Sequence, residues 1–243
     1  MTAVSSRAAA GAAGVAIVRI ERLDLRLEPR PWAFAAERRA DIDAHFAELR
    51  RAKPALWNGR VLMIHRFALA GAAIRAACLE TDYASLLAWR DWNFPDPTVR
   101  NFFGAAVLRA ADDAFLLAVM GAHTANAGQV YFFTGTPEPA DVTGDVVDLD
   151  RSVLRELGEE TGLTARNVAV EPGWHAVFAG QRIALMKSLR VDMPAAALRA
   201  RIVTHLAGEA VPELADIRIV RGPADLDPRM PPFTTAFLEH QWR

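Results

Sequence analysis

The sequence predicts a mixed α/β (α+β) fold, a sheet sandwiched between helices. Three observations carry this expectation. Short apolar strands lie on both sides of a central helical stretch at residues 151–161, a second helical stretch follows at 194–206, and a further strand at 217–220 closes the pattern. The chain of 243 residues has material for one large domain or two small ones. Its composition, 52% apolar and 23% charged, is that of a soluble globular protein and excludes wholesale disorder.

The elements follow in order. Apolar residues mostly alternate over 15–27, as in a strand. Pro29 and Pro31 precede a helical stretch over 34–51, with Ile42, Phe46 and Leu49 at helical spacing. Asn58-Gly59 signals a turn, and 61–67 and 72–79 read as a hairpin around Ala70-Gly71. Thr81 or Asp82 is placed to cap a helix to about Trp89. The segment Trp92-Asn93-Phe94-Pro95-Asp96-Pro97 breaks regular structure and marks a boundary. Strands at 102–108, 115–120 and 130–133 precede a long loop at 134–150, then the central helix, which ends at Gly162. Strands at 168–170, 175–178 and 183–191 come next. The division expected is an N-terminal extension at 1–98, a core domain at 99–225 and a C-terminal tail at 226–243.

Composition also limits the partners. Lys plus Arg total 28 against 29 for Asp plus Glu, a net charge of −1, so no basic field exists to hold a long nucleic acid. The single cysteine, Cys78, excludes an internal disulfide and a cysteine-rich zinc site, and fits a reducing cytoplasm. The first residues are small, with Arg7 the only early charge. They read as a terminus running into the strand at Ile20, Leu23, Leu25 and Leu27, not as a secretion signal. No run of about 18 apolar residues is present, so no membrane-spanning helix is expected.

The chemistry concentrates in Arg155-Glu156-Leu157-Gly158-Glu159-Glu160-Thr161-Gly162-Leu163. At 100° per residue, Glu156, Glu159 and Glu160 fall within an arc of about 100° on one helix face. Carboxylates that close repel one another unless a cation lies between them. Hard oxygen donors suit Mg²⁺ or Mn²⁺ together with substrate phosphates. Arg155, one turn before Glu159, is placed to orient it. No His-Glu-x-x-His pair, Gly-x-Ser-x-Gly elbow, Walker loop or dinucleotide glycine fingerprint competes.

This segment resembles the signature of Nudix hydrolases: Arg-Glu, an aliphatic residue, any residue, Glu-Glu, any residue, Gly, an aliphatic residue. The resemblance implies a Nudix-type α/β/α sandwich over 99–225 and Mg²⁺-dependent cleavage of a pyrophosphate bond. It further implies metal ligation by Glu156, Glu159 and Glu160, with Gly135 supplying a turn whose carbonyl faces the metal. Upstream the match departs from the family. Asp141 stands where the pattern has Gly, and Val147 where it has Glu, as if about six residues were inserted after Gly135. Glu138, Asp145, Asp148 and Asp150 are the loop carboxylates that stand in line to replace the missing one.

Asn58-Gly59-Arg60, Thr81-Asp82-Tyr83 and the loop from Gly135 to Pro139 are similar to features of a Nudix subgroup with an N-terminal extension that hydrolyses UDP-glucose and UDP-galactose. That subgroup implies UDP-sugars as substrates, giving UMP and sugar 1-phosphate, with a small nucleotide and neither nucleic acid nor membrane as partner. Among the aromatics, Tyr131, Phe132, Phe133, Trp174 and Phe178 are candidates for stacking a base. The rival expectation is a catalytically weak Nudix-fold module that binds nucleotide or regulates. Val147 favours it and the glutamate triad opposes it.

Overall fold

The alternating run at 15–27 folds as two strands, Val15–Ile20 and Arg22–Leu27, which part at Glu21 and enter different sheets. The computed structural model describes residues 9–11 and 14–243, so the reading of residues 1–8, 12 and 13 as a terminus lies outside the described residues. The larger sheet follows the path Ala9–Gly11, Val15–Ile20, Trp174–Ala179, Arg182–Arg190, Asn101–Arg109, Phe115–Met120, Leu214–Val220. At its centre Asn101–Arg109 and Arg182–Arg190 run parallel, in register from Asn101 opposite Arg182 to Arg109 opposite Arg190. Both are buried along almost their whole length, as strands covered on two faces must be.

The smaller sheet runs Val142–Thr143, Val146–Val147, Arg22–Leu27, Ala73–Asp82, Arg60–Ala70. Its first two strands make a hairpin inside the stretch expected as a long loop; two-residue strands are too short to leave a periodic signal. Successive residues of Arg60–Ala70 serve two cores. Leu62 and Ile64 join the main core between the sheets, while Val61 and Met63 face Ile42, Phe46, Leu87 and Trp89. Alternate side chains leave opposite faces of a strand, so an unbroken apolar run is what such a two-sided position requires. The helices Arg39–Ala52 and Tyr83–Asp91 cover the outer face, the latter capped by Asp82, whose carboxylate accepts from Ser85 N.

The segment 226–243, read from the sequence as a tail, carries the helix Pro232–Gln241, with Phe233, Phe237 and Leu238 buried. Phe237 packs edge-on to Phe132 at 5.6 Å and against His175 at 5.7 Å. Among the described residues no helix is long and apolar enough to cross a membrane. Cys78 is a free, fully buried thiol whose pKa burial pushes up to about 12, so it is a packing residue and not a nucleophile.

Both sheets draw strands from either side of residue 98: Val15–Ile20 pairs along its length with Trp174–Ala179, and Arg26 pairs with Val146. Residues 99–243 expressed alone would expose the apolar Trp174–Ala179 strand as an open edge. That fragment is expected to aggregate in size-exclusion chromatography; a folded, monodisperse fragment would contradict this.

His175 contributes a pH dependence. Burial, then the charges of Arg19 and His240, lower its pKa to about 4 from the ordinary 6.5. The folded state therefore prefers neutral imidazole. Its contribution is complete above pH 6.5 and is lost as pH falls towards 4, by about 2 kcal/mol after allowance for partial exposure. Urea unfolding at pH 7 and pH 4.5 should show this excess loss in the wild type and not in His175→Gln; equal losses in both would refute it.

Candidate active site

The helix Leu149–Thr161 carries the acidic segment. Asp148 starts it, its carboxylate accepting from Arg151 N at 3.0 Å, and Gly162 ends it in the left-handed region at φ 68°, donating its N–H to Gly158 O. Leu149, Val153 and Leu157 bury one flank against the sheet. That flank fixes the rotation of the helix and so decides which residues face outward.

Arg155 is the hub of the outward side. Its guanidinium donates to both carboxylate oxygens of Asp141, at 3.2 and 3.3 Å from Nη2. It also lies 2.9 Å from Glu156, 3.1 Å from Glu159 and 3.5 Å from Glu138. Burial alone would lower its pKa, but Asp141, Glu156 and Glu159 together hold it above the ordinary value. Asp141 is fully buried and also accepts from Ser152 Oγ at 2.9 Å and Glu138 N at 3.1 Å. It ties the hairpin, the loop and the helix together.

The three glutamates are graded from core to solvent. Glu160 is buried, Glu156 half-buried, and the Glu159 side chain is 60% exposed. Burial first, then Glu213, Glu156 and Glu159, raises the pKa of Glu160. Burial likewise raises Glu156 to about 7, against the opposing pull of Arg155. Gly135 lies so close to Glu156 that a Cβ there would overlap its carboxyl group, so any side chain at this position would displace the glutamate from its place.

As they stand, these side chains do not converge: among the described residues, no three His, Cys, Asp or Glu groups are placed to hold a metal. Arg155 is ion-paired with both Glu156 and Glu159. The donor set nevertheless fits a hard divalent cation. It is all oxygen, Glu160 Oε2 is buried with no hydrogen-bond partner, and Glu159 is exposed to solvent.

Glu156 and Glu159 open onto a cleft of about 1200 Å³ that also reaches Gly135, Glu138 and Glu213. Of the four loop carboxylates singled out in the sequence, only Glu138 lines it. Asp145 pairs with Arg26 at 3.0 Å, Asp148 caps the helix, and Asp150 pairs at 2.7 Å with Lys187, a buried lysine lying over the Trp174 ring. Val147 is buried and opposite Val142 in the hairpin. Of the five aromatic candidates, Phe132, Phe133 and Trp174 are core residues, and Phe178 packs on Phe67. Tyr131 reaches the cleft wall with 5% exposure. The exposed ring in the cleft is Trp57, 5.9 Å from Tyr83.

Asp141 and Glu213 were not singled out by sequence reasoning. Asp141 carried one signal, an acid where the signature has glycine. Glu213 carried none; the pairing of Leu214 with Met120 brings it to the cleft.

No family model matches the chain, and no curated protein matches it in sequence. Solved structures do resemble it. One is RenU, a Nudix hydrolase from M. smegmatis, at 18% identity and a TM-score of 0.39, with 59% of this chain and 84% of that chain covered. Another is the MutT protein from Methanosarcina mazei Go1, at 17% identity and a TM-score of 0.40, covering 58% and 91%. A bifunctional NMN adenylyltransferase/ADP-ribose pyrophosphatase from Francisella tularensis aligns at 17% identity and a TM-score of 0.39, over 65% of this chain and 44% of that one. These are what the chain resembles; the cleft's own side chains carry its chemistry.

Proposed function

We propose that this protein is a Nudix-type hydrolase that cleaves the pyrophosphate bond of a nucleoside diphosphate-linked molecule, with a UDP-sugar as substrate and UMP and sugar 1-phosphate as products. One observation carries the reading: the Arg155–Leu163 signature lies on a capped helix whose Glu156 and Glu159 face a large cleft, with Gly135 pressed against Glu156. Glu156, Glu159 and Glu160, with the Gly135 main chain, would hold Mg²⁺ or Mn²⁺, which supplies charge neutralisation on the phosphoryl oxygens and acidifies an attacking water.

The chain's own groups do the rest. Arg155 holds Glu156 and Glu159 in place and moderates their repulsion. Glu138 and Glu213 line the cleft and offer a proton acceptor. Trp57, exposed in the cleft beside Tyr83, offers a ring for a base. The Asn58 and Asp82 motifs support this edge: Asn58 accepts from Ala84 N at 2.8 Å, and Gly59 O accepts from Tyr83 N at 2.9 Å. They bind the Trp57 loop to the Tyr83–Asp91 helix. The choice of UDP-sugars rests on the resemblance of these motifs.

The test is a nucleotide panel with Mg²⁺ and with chelator, followed by the best substrate in ¹⁸O-water. UMP and hexose 1-phosphate, with label on phosphorus in one of them, support the reading. UDP with label in free hexose would mean glycosidic cleavage and refute it. The second reading, a binding or regulatory module, is favoured by Val147 buried where the signature has Glu. Tight nucleotide binding with no product at micromolar enzyme would select it.

A further inference from the structure

Three arginines line the cleft, and they differ in how their charge is met. Arg229 is paired with Asp227 at 2.8 Å, and Arg90 with Asp91 at 2.8 Å and with Asn126 Oδ1 at 3.3 Å. Arg182 is half-buried and, among the described residues, makes no ion pair and no side-chain hydrogen bond. Its guanidinium lies 5.5 Å from the Phe94 ring. Burial and the like charge of Arg90 both work against it, and they lower its pKa. Asp91 offers little relief, since its two oxygens are taken by Arg90 and by His45 at 3.0 Å.

A half-buried cation without a counter-ion is costly, and the cost falls when an anion arrives. The strand register says where. Gly135 pairs with Gly104, and Arg182 with Asn101, three residues along the same strand, or roughly 10 Å. The arginine therefore stands well away from Glu156, towards the N-terminal region. Beside it Asn101 Oδ1 is buried without a partner, an acceptor for a substrate hydroxyl.

We propose that Arg182, seconded by Arg90, is an anion-binding subsite that takes an oxyanion of the substrate opposite the helix carboxylates. That oxyanion is either a phosphate of the diphosphate or a carboxylate on the sugar it carries. The subsite rests on the hydrolase reading for its role, but its binding is measurable without turnover.

The experiment is calorimetric titration of full-length protein, free of divalent cation, with inorganic phosphate, UDP-glucose and UDP-glucuronate. Arg182→Gln should weaken phosphate binding at least fivefold, with melting temperature confirming the fold. Arg182→Lys should restore most of it, and Arg190→Gln, outside the cleft, should leave it unchanged. Equal weakening for both nucleotides assigns the diphosphate; weakening for UDP-glucuronate alone assigns the sugar carboxylate. Phosphate affinity within twofold of wild type in Arg182→Gln, or no phosphate binding by the wild type, overturns the subsite. Failure of the hydrolase reading would show instead as no product with Mg²⁺, whatever these titrations give.

Discussion

Glu160→Gln is expected to cut Mg²⁺-dependent turnover by about a hundredfold or more while raising the stability of the cation-free protein. The two effects have one cause. Glu160 is buried, one of its oxygens has no partner, and Glu213, Glu156 and Glu159 surround it with like charge. Without a cation, such a group costs the fold free energy in either protonation state, because one form is charged and the other loses its hydration. An amide of the same shape removes the charge repulsion. Relief of about 1 kcal/mol corresponds to a melting temperature higher by roughly 2–4 °C in a chain this long. The oxygen donor that a hard cation prefers is lost at the same time. Calorimetry without divalent cation and kinetics over a Mg²⁺ titration read the two effects separately. Activity near that of the wild type would remove Glu160 from the metal-binding set.

Opposed effects at one residue would mark a group kept for function, and the helical spacing in the sequence singles out that residue. Glu156, Glu159 and Glu160 were legible because a helix maps spacing directly onto geometry, and because the Gly162 end is chemically marked. The hairpin from Val61 was legible from its apolar run and the Ala70-Gly71 turn, but not that its successive residues enter two cores. What stayed hidden depends on pairings between distant segments. Glu213 lies 53 residues beyond Glu160 and reaches the cleft only through the Leu214–Met120 pairing. Arg182 gains its meaning from what its neighbours fail to supply, and no spacing encodes that. The helix Pro232–Gln241 left a pattern, Phe233, Phe237 and Leu238 behind two prolines, but it spans fewer than three turns and read as a tail.

Asp141 is the clearest case of a residue whose importance lies in tertiary context, and its removal should be the most damaging single change outside the apolar cores. Asp141→Ala leaves the guanidinium of Arg155 without its buried counter-ion, and takes the acceptor from Ser152 Oγ and from Glu138 N. Breaking one side of a buried ion pair costs about 3–5 kcal/mol, and an orphaned hydroxyl adds to it. Arg155 is only partly buried and keeps Glu156 and Glu159, so the lower part of that range, about 3 kcal/mol, applies. The melting temperature should drop by roughly 10 °C. Asp141→Asn keeps the volume and can still accept from Ser152, so it should lose less than half as much. The hairpin at Val142–Thr143 and Val146–Val147 hangs on this carboxylate through Glu138 and Ser152, and should lose hydrogen-exchange protection first in the alanine variant. Denaturant unfolding of the three proteins, with exchange measured on the hairpin amides, checks both effects. A loss below 1 kcal/mol in Asp141→Ala would mean that Arg155 is satisfied by Glu156 and Glu159 alone, and that the buried aspartate is not what locks the loop to the helix.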